Sequence, residues 1–230
     1  MVRLITYFEL HDSPYLILEP CDQNLRYEIA QYKRGLHAPK VKRIILQIVL
    51  GLNHCHSKRY IHCDLCPESI LIAKNGVVKI ANFDHAIAHT QSESSNNSSN
   101  TSFKSNNNSD EPEDANKPAI HMAYTAPEIL VGSSCIEFAA DIWSLGAVTC
   151  ELLKGKPLWC ELTKKDQLQQ IQDALGPLPS QRHFCLPKLL ESFEPSGDWS
   201  NLREFLPRIP EDAFSFISVS IKQQIFPSIP

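Results

Sequence analysis

Apolar residues recur at helical spacing in two long stretches of the chain. Residues 38–57 carry an apolar stripe on one face, which predicts an amphipathic helix. Residues 138–153 are apolar on nearly every side, so we expect a helix that is buried all round and that ends at Gly155. The stripe of the first helix consists of Val41, Ile44, Ile45, Ile48, Leu52 and Cys55.

Shorter apolar runs predict strands. Arg3–Phe8 and Tyr15–Glu19 flank the turn-forming residues H-D-S-P at 11–14, which indicates a hairpin. Residues 70–72 and 77–80 flank an Asn-Gly pair, a dipeptide typical of tight hairpin turns. The sequence therefore predicts two antiparallel strand pairs.

Three weaker helices complete the pattern. Thr163 and Asp166 have the spacing of a capping box, which favours a helix over 163–175 ended by Gly176. Residues 24–33 and 210–217 are weaker helical candidates. The sequence therefore predicts more helices than strand pairs.

Residues 91–117 break the pattern. They consist mainly of Asn, Ser and acidic residues, with almost nothing apolar. Such a segment cannot offset the entropy lost on ordering, so we expect it to be disordered. It is either an insertion in a loop or a linker between domains.

Composition and charge limit the classes of function that we expect of the chain. The chain has 230 residues, 43% of them hydrophobic, and a net charge of −4. This charge gives no reason to expect nucleic acid or a membrane surface as a partner. We see no signal peptide at the start and expect the protein inside the cell, in the cytoplasm or nucleus, with its eight cysteines as reduced thiols.

A candidate site lies in residues 60–72, where Cys63 and Cys66 form a C-x-x-C pair. This spacing is typical of a redox pair or of half a zinc site. A redox pair usually opens a helix, whereas Pro67 follows this one. A structural zinc site needs a second pair of ligands, and the other cysteines are scattered singly. A thiol or zinc site is therefore the weaker hypothesis.

Four motifs, found in a fixed order along the chain, support a stronger hypothesis. Residues 62–69 read H-C-D-L-C-P-E-S, where protein kinases have H-R-D-L-K-P-E-N, and residues 82–84 read N-F-D in place of D-F-G. A-P-E is intact at 126–128, and D-x-W-S-x-G is intact at 141–146. Over residues 1–217 the chain resembles a protein kinase, most closely the cyclin-dependent-kinase-like group of Ser/Thr kinases.

The resemblance implies an α+β, protein-kinase-like fold, mainly the helical large (C-terminal) lobe with a remnant of the small lobe. Residues 1–22 would be the remnant strands and hinge, and 23–217 the large lobe with the insertion at 91–117 in its activation loop. Residues 218–230 would be a divergent tail. Because the resemblance begins near the fourth small-lobe strand, we expect an N-terminally truncated domain without the Gly-rich loop or the strand-3 Lys.

The resemblance also implies a degraded catalytic loop. Asp64 matches the residue that accepts the proton of the substrate hydroxyl, although without metal partners it could equally be structural. Cys66 replaces the Lys that neutralises the transferring phosphate, and Cys63 replaces the Arg that orders the activation loop. Ser69 and Asn82 replace the Asn and Asp that hold the magnesium ions, so they are degraded metal positions.

ATP and Mg²⁺ are the cofactors that the resemblance implies, with their binding in doubt. Glu19 and Cys21 lie in the hinge, whose backbone meets adenine in the family. Leu71 is the candidate floor under the adenine ring.

Four further residues are expected to be structural. His62 should be a core histidine packed near Phe83, and Asp141 should bond to the backbone of the catalytic loop. Glu128 pairs in the family with an Arg late in the large lobe. Because no Arg follows Arg208, that partner should be missing or improvised.

These observations favour an inactive pseudokinase or kinase-domain fragment that acts as a binding module, or has no function. The alternative is a Ser/Thr kinase that retains some transfer of the ATP γ-phosphate to protein hydroxyls. Either way the partner or substrate would be a protein, which the sequence does not name.

Overall fold

Two helices, α2 and α4, form the centre of the fold. The computed structural model describes residues 1–89, 121–133, 136–160, 163–175, 202–206 and 209–225, without the side chains of 121, 205 and 222–225. The insertion predicted at 91–117 lies outside these residues. The helices are α1 (Leu25–Ala30), α2 (Ala38–Ser57), α3 (Pro127–Leu130), α4 (Ala139–Lys154), α5 (Lys164–Leu175), α6 (Leu202–Phe205) and α7 (Glu211–Ile225), with a 3-10 turn at His121–Tyr124.

Helix α2 buries the apolar stripe that its sequence predicts, and a proline in its first turn starts it without loss of a helical hydrogen bond. Helix α4 is buried on almost all sides. It packs against both α2 and α7. Gly146 allows the approach of α7, because a Cβ there would lie 3.1 Å from Ile221 Cγ1 and 3.2 Å from Ser220 Cβ.

Helix α4 ends at Gly155, as predicted, in the left-handed conformation with a φ of 76°. A Cβ on Gly155 would lie 2.7 Å from the Gly35 nitrogen and 2.8 Å from the Lys33 oxygen. The Leu36 N–H donates to the Leu152 oxygen at 2.7 Å. The loop before α2 is therefore fixed directly against the end of α4.

Two tryptophans stack in the core beside α4. The rings of Trp143 and Trp159 lie 5.1 Å apart between centroids, with planes 13° from parallel. Both side chains are fully buried. Their stacking fixes the chain that follows α4 onto the helix itself.

The strands form three small antiparallel sheets, ordered β1-β2, β3-β5-β6 and β4-β7. In the hairpin β5–β6, the Gly76 N–H donates to the Ala73 oxygen at 2.8 Å, and Gly76 has a φ of 76°. The turn therefore spans Ala73–Gly76 and is longer than the predicted pair of Asn75 and Gly76. The strands are β1 (Leu4–Leu10), β2 (Ser13–Leu18), β3 (Gln23–Asn24), β4 (Tyr60–Ile61), β5 (Ile70–Ile72), β6 (Val78–Ile80) and β7 (Ile87–Ala88).

The hairpin β1–β2 turns through His11 and Asp12, whose φ values of 51° and 59° are those of a two-residue hairpin turn. Every residue of both strands is exposed. Phe8 and Tyr15 stack across the strands with centroids 5.2 Å apart. This hairpin differs from the rest of the fold, where large apolar side chains are mostly buried.

The predicted long helices and both hairpins are confirmed. At the start of α5, the Thr163 hydroxyl accepts a hydrogen bond from the Asp166 N–H at 3.1 Å, as expected for a capping box. Helix α7 runs to Ile225, beyond the predicted end at 217 and across the expected tail boundary. Three two-residue strands and the short helices α3 and α6 were not predicted.

None of the helices in the described ranges has the length and apolarity needed to cross a bilayer.

Candidate functional site

The catalytic-loop motif begins with a strained backbone that Asp141 holds in place. Cys63 has a φ of 64°, a conformation that costs a non-glycine residue about 1–3 kcal/mol. The carboxylate of Asp141 accepts the N–H groups of His62 and Cys63, each at 2.9 Å. The loop therefore keeps a backbone shape that its own residues would not favour.

Asp141 has a third partner that the sequence did not indicate. His56 Nε2, in the last turn of α2, lies 2.7 Å from Asp141 Oδ2. Asp141 itself is fully buried. Its carboxylate thus joins α4, α2 and the catalytic loop at one point, and a buried carboxylate is tolerated because it is fully hydrogen-bonded.

His62 is a buried histidine with both ring nitrogens engaged. Its Nε2 lies 2.8 Å from the carbonyl oxygen of Ala81, so Nε2 carries the hydrogen and donates. Its Nδ1 accepts from the Asp64 N–H at 3.3 Å. The ring packs edge-on against Phe83 with centroids 4.8 Å apart. This arrangement suits a structural residue.

Ser69 and Cys66 bond to each other inside the loop. The Ser69 hydroxyl accepts from the Cys66 N–H at 3.0 Å and donates to the Cys66 oxygen at 2.9 Å. Both side chains are fully buried. The hydroxyl at the second-metal position is therefore engaged in closing the turn that follows Asp64.

The cysteine pair is not a reactive pair. Cys63 and Cys66 are both buried thiols that take no part in a disulfide. Burial, reinforced by the charge of Asp141, raises the pKa of Cys63 to about 12, which disfavours the thiolate that redox or metal chemistry needs. No group of three or more His, Cys, Asp or Glu side chains within the described ranges is arranged to hold a metal ion.

The other residue expected at a magnesium position is Asn82, which is exposed and has a φ of 57°. Its side chain is a neutral amide, whereas Mg²⁺ is held in such sites by carboxylates. With the Ser69 hydroxyl engaged in its own turn, the residues present do not fit a magnesium site. Asp64, which is half-buried, is the one acidic residue of the 62–66 segment.

Glu19, which we expected in the hinge, links the hairpin β1–β2 to strand β6. Its carboxylate lies 2.6 Å from Lys79 Nζ and accepts the Arg3 N–H at 2.7 Å. The hydrogen bond from Lys79 lowers the pKa of Glu19. Cys21 and Leu71, the other adenine candidates, are half-buried, and Leu71 lies in β5 opposite Asn24.

Two cavities lie near this region, and neither is lined by Asp64. One of about 430 Å³ follows the hinge, and one of about 380 Å³ opens beside Phe83. The first is lined by Asp22, Gln23, Asn24 and Tyr27, and the second by Met1, His54, Cys55, Lys58, Tyr60, Phe83 and Ala86.

A cluster of charged side chains around Arg26 was not predicted from the sequence. Arg26 Nε donates to Glu68 at 2.6 Å and Nη2 to the Tyr124 hydroxyl at 2.6 Å, while Nη1 bonds to Glu151. The Tyr124 hydroxyl donates to Glu151, which is almost fully buried. Burial opposes the charge of Arg26, but the bond from Glu68 and the other partners outweigh it and raise its pKa. The cluster ties the catalytic-loop motif to α4 and α1.

Glu128 of the A-P-E motif is 4% exposed. Burial raises the pKa of its carboxyl to about 7. Arg208, the last arginine of the chain, lies outside the described residues, so the expectation of a missing arginine partner stays a prediction.

The chain matches known proteins over nearly its whole length. A family model described as "Protein kinase domain" matches residues 1–223. The mouse protein "Cyclin-dependent kinase-like 4" is 31% identical over 229 residues, covering 96% of this chain and 60% of the relative. Its human counterpart is 34% identical over 179 residues, covering 77% and 42%.

The chain is also similar to a third relative. "Cyclin-dependent kinase-like 1" of Caenorhabditis elegans is 31% identical over 176 residues, covering 76% of this chain and 44% of the relative. The chain therefore spans less than two thirds of the length of each of these three relatives.

Proposed function

This chain belongs to the protein kinase family and is similar to its cyclin-dependent-kinase-like members, and on that premise we propose that it is a pseudokinase that binds a protein partner without transferring phosphate. The family has an α+β kinase-like fold. In the finer assignment that we propose, β1–β2 is a remnant of the small lobe and residues 23–217 correspond to the large lobe.

One observation carries the proposal. The turn after Asp64 is closed by the hydroxyl of Ser69, which bonds to the backbone of Cys66 on both its donor and acceptor sides. The two positions that would supply a metal ligand and a cation are therefore buried and bonded to each other.

Phosphoryl transfer depends mainly on positioning and on electrostatic stabilisation of the developing charge. Kinases of this family use ATP and Mg²⁺. Here a thiol stands in place of the cation at Cys66, and a neutral amide in place of the metal-binding carboxylate at Asn82. Each loss of about 1.4 kcal/mol of transition-state stabilisation slows the reaction about tenfold. The losses together support a protein without measurable transfer.

The catalytic loop nevertheless keeps its backbone shape, through the bonds that Asp141 makes to His62 and Cys63. A retained shape without retained charges supports a role in which the folded surface is used. The partner is a protein, and the near-neutral charge of the chain favours neither nucleic acid nor a membrane surface. We propose that this role is carried out inside the cell.

The test is a phosphotransfer assay with Mg-ATP or Mn-ATP and a generic Ser/Thr peptide. We expect no transfer above that of an Asp64→Ala control, and no rise in melting temperature when ATP and either metal are added. Metal-dependent transfer that Asp64→Ala abolishes would contradict the proposal.

A restored variant makes the test sharper. Cys66→Lys, Ser69→Asn and Asn82→Asp together return the phosphate-neutralising charge and the two metal ligands of the family motif. If loss of these groups is what prevents nucleotide binding, the triple variant should gain a metal-dependent thermal shift with ATP. Ser69→Ala is the matched control, because it removes the hydroxyl without adding a ligand.

Asp64 favours a second candidate, a Ser/Thr kinase with residual activity. It keeps the acidic residue of the motif at a half-buried position, next to a loop whose backbone is held by Asp141. Under this alternative, slow transfer would be detected in the same assay, would require ATP and a divalent metal, and would disappear in Asp64→Asn.

A further inference from the structure

The loop before α2 and the end of α4 are in direct backbone contact. A Cβ on Gly35 would lie 2.1 Å from the Leu153 oxygen and 2.9 Å from the Lys154 nitrogen. A Cβ on Gly155 would lie 2.8 Å from the Lys33 oxygen. Glycine at both positions permits this approach. Side chains on the two sides of the contact therefore leave the same part of the surface.

The residues beside both glycines are basic. In the loop before α2 they are Lys33 and Arg34, and at the end of α4 they are Lys154 and Lys156. Lys154 is half-buried, and the other three are exposed. Burial lowers the pKa of Lys154, and the charge of Lys156 lowers it further, so the two ammonium groups are close neighbours. We call these four residues the basic surface.

The three exposed members of the basic surface make no ion pair with any of the residues that the structure describes. The carboxylates of the adjoining helices are already engaged, because Glu28 of α1 bonds to Lys40 and Glu151 of α4 bonds to Arg26. The whole chain has a net charge of −4, so this group of cations is a local exception to its charge balance. Such a surface attracts a negatively charged ligand.

The arrangement favours carboxylates spread along a polypeptide. A single phosphate is best held by cations that converge on it with bidentate hydrogen bonds, whereas these cations are exposed and come from two loops. Binding of nucleic acid depends on a long basic stripe, and the net negative charge of the chain repels a long polyanion. An extended acidic segment advances by about 3.3 Å per residue and can place one carboxylate against each cation.

We propose that the basic surface is a docking site for an acidic segment of a protein partner. This inference rests on the proposed role as a binding module, and it adds the place and the chemistry of the contact. The basic surface contains no residue of the catalytic-loop motif, so docking needs neither nucleotide nor metal. Because each exposed ion pair contributes little, binding should depend on all the cations together and should weaken as salt is added.

The test is fluorescence anisotropy of a labelled peptide of six Glu-Gly repeats, titrated with the full 230-residue chain. We expect saturable binding to this peptide and none to a Gln-Gly peptide of the same length. Lys156→Gln alone should weaken binding about threefold, as expected for one exposed ion pair. The triple variant Lys33→Gln, Arg34→Gln and Lys156→Gln should weaken it about twentyfold.

The matched control is a triple variant that loses three exposed cations on other elements, Lys58→Gln, Lys74→Gln and Lys165→Gln. It has the same net charge as the first triple variant, so any general attraction is equal in the two. We expect the control to bind the peptide within about twofold of the unaltered chain. Circular dichroism shows whether both variants are folded, which we expect because all substituted side chains are exposed. Equal weakening in both would overturn the proposal.

Other ligands give the remaining outcomes. Tighter binding of a uridine 12-mer, or of a peptide with a single phosphoserine, would overturn the choice of an acidic segment. Tighter peptide binding after neutralisation of the acidic run at 110–114 would assign the basic surface to the chain itself and would overturn an external partner.

The docking proposal and the pseudokinase proposal can fail separately. Phosphate transfer by the chain would contradict the pseudokinase proposal but would leave the peptide titration unchanged. Absence of peptide binding, with no transfer detected, would overturn the docking proposal alone.

Discussion

The helix pair α2–α4 and the hairpin β1–β2 are built from similar apolar side chains but meet solvent in opposite ways. In α2 one apolar face is buried, whereas Leu46 and Leu50 outside that face are each 60% exposed. In the hairpin, apolar residues occupy both faces, so a two-stranded ribbon cannot cover them by itself. The difference shows that apolar content alone does not create a core, because a second layer must be present to cover it.

The largest expected effect is that of Asp141→Ala. This change removes the buried carboxylate that joins α2 and α4 to the catalytic loop. We expect a loss of about 3–5 kcal/mol in the free energy of unfolding, since three groups lose their partner. Urea denaturation followed by circular dichroism measures it. Asp141→Asn keeps an acceptor oxygen and should lose less, while equal losses in both variants would contradict the hydrogen-bonding account.

Glu128 gives the stability of the protein a dependence on pH. Burial raises its pKa from 4.5 to about 7 in the folded protein. The folded state therefore retains the proton more strongly, and its stability falls as pH rises from about 4.5 to 7. The loss should be about 3 kcal/mol, and Glu128→Gln should flatten that part of the profile. An unchanged profile in Glu128→Gln would show that another group is responsible.

Gly155→Ala tests the close packing at the end of α4. A Cβ there meets the backbone of Gly35 and Lys33 at 2.7–2.8 Å, in addition to the cost of a positive φ. We expect a loss of about 2–3 kcal/mol. Gly76→Ala is the control, with the same φ of 76° but nothing within 4 Å, and it should lose only about 1 kcal/mol. Equal losses would assign the whole effect to backbone conformation.

The smallest effect is expected in the hairpin itself. Leu16→Ala should change the free energy of unfolding of the monomer by no more than about 0.5 kcal/mol, because the side chain is already exposed. The same change at Leu52, which is 2% exposed, should cost about 2–5 kcal/mol. Urea denaturation at low protein concentration compares the two. A similar loss at both positions would mean that the hairpin is covered within one chain.

The long helices could be predicted because each carries a strong periodic signal of its own. The prediction of 38–57 for α2 matches its bounds, and the capping residues Thr163 and Asp166 form the expected bonds. Strands β4 and β7 could not be predicted in this way. Each has two residues, and their pairing of Tyr60 with Ala88 depends on a contact between distant parts of the chain.

The same limit applies to the candidate site. The order of the motifs identifies Asp64 and its altered neighbours, since a motif is a local pattern. The sequence does not show that His56 contacts Asp141, 85 residues away, or that Arg26 reaches Glu151, 125 residues away. Such contacts arise from the packing of whole helices. Local spacing therefore predicts which chemistry is absent, but not which bonds hold the loop in place.

The stacked pair of Trp143 and Trp159 gives the molecule an optical signal of its own. Two indoles 5.1 Å apart and nearly parallel couple electronically, and this coupling disappears when the chain beyond α4 separates from the helix. The hairpin contains Tyr7 and Tyr15 but no tryptophan. After Trp199→Phe, indole emission follows the buried region alone, and the hairpin contributes nothing to it. The buried region can therefore be observed by itself in an unlabelled sample.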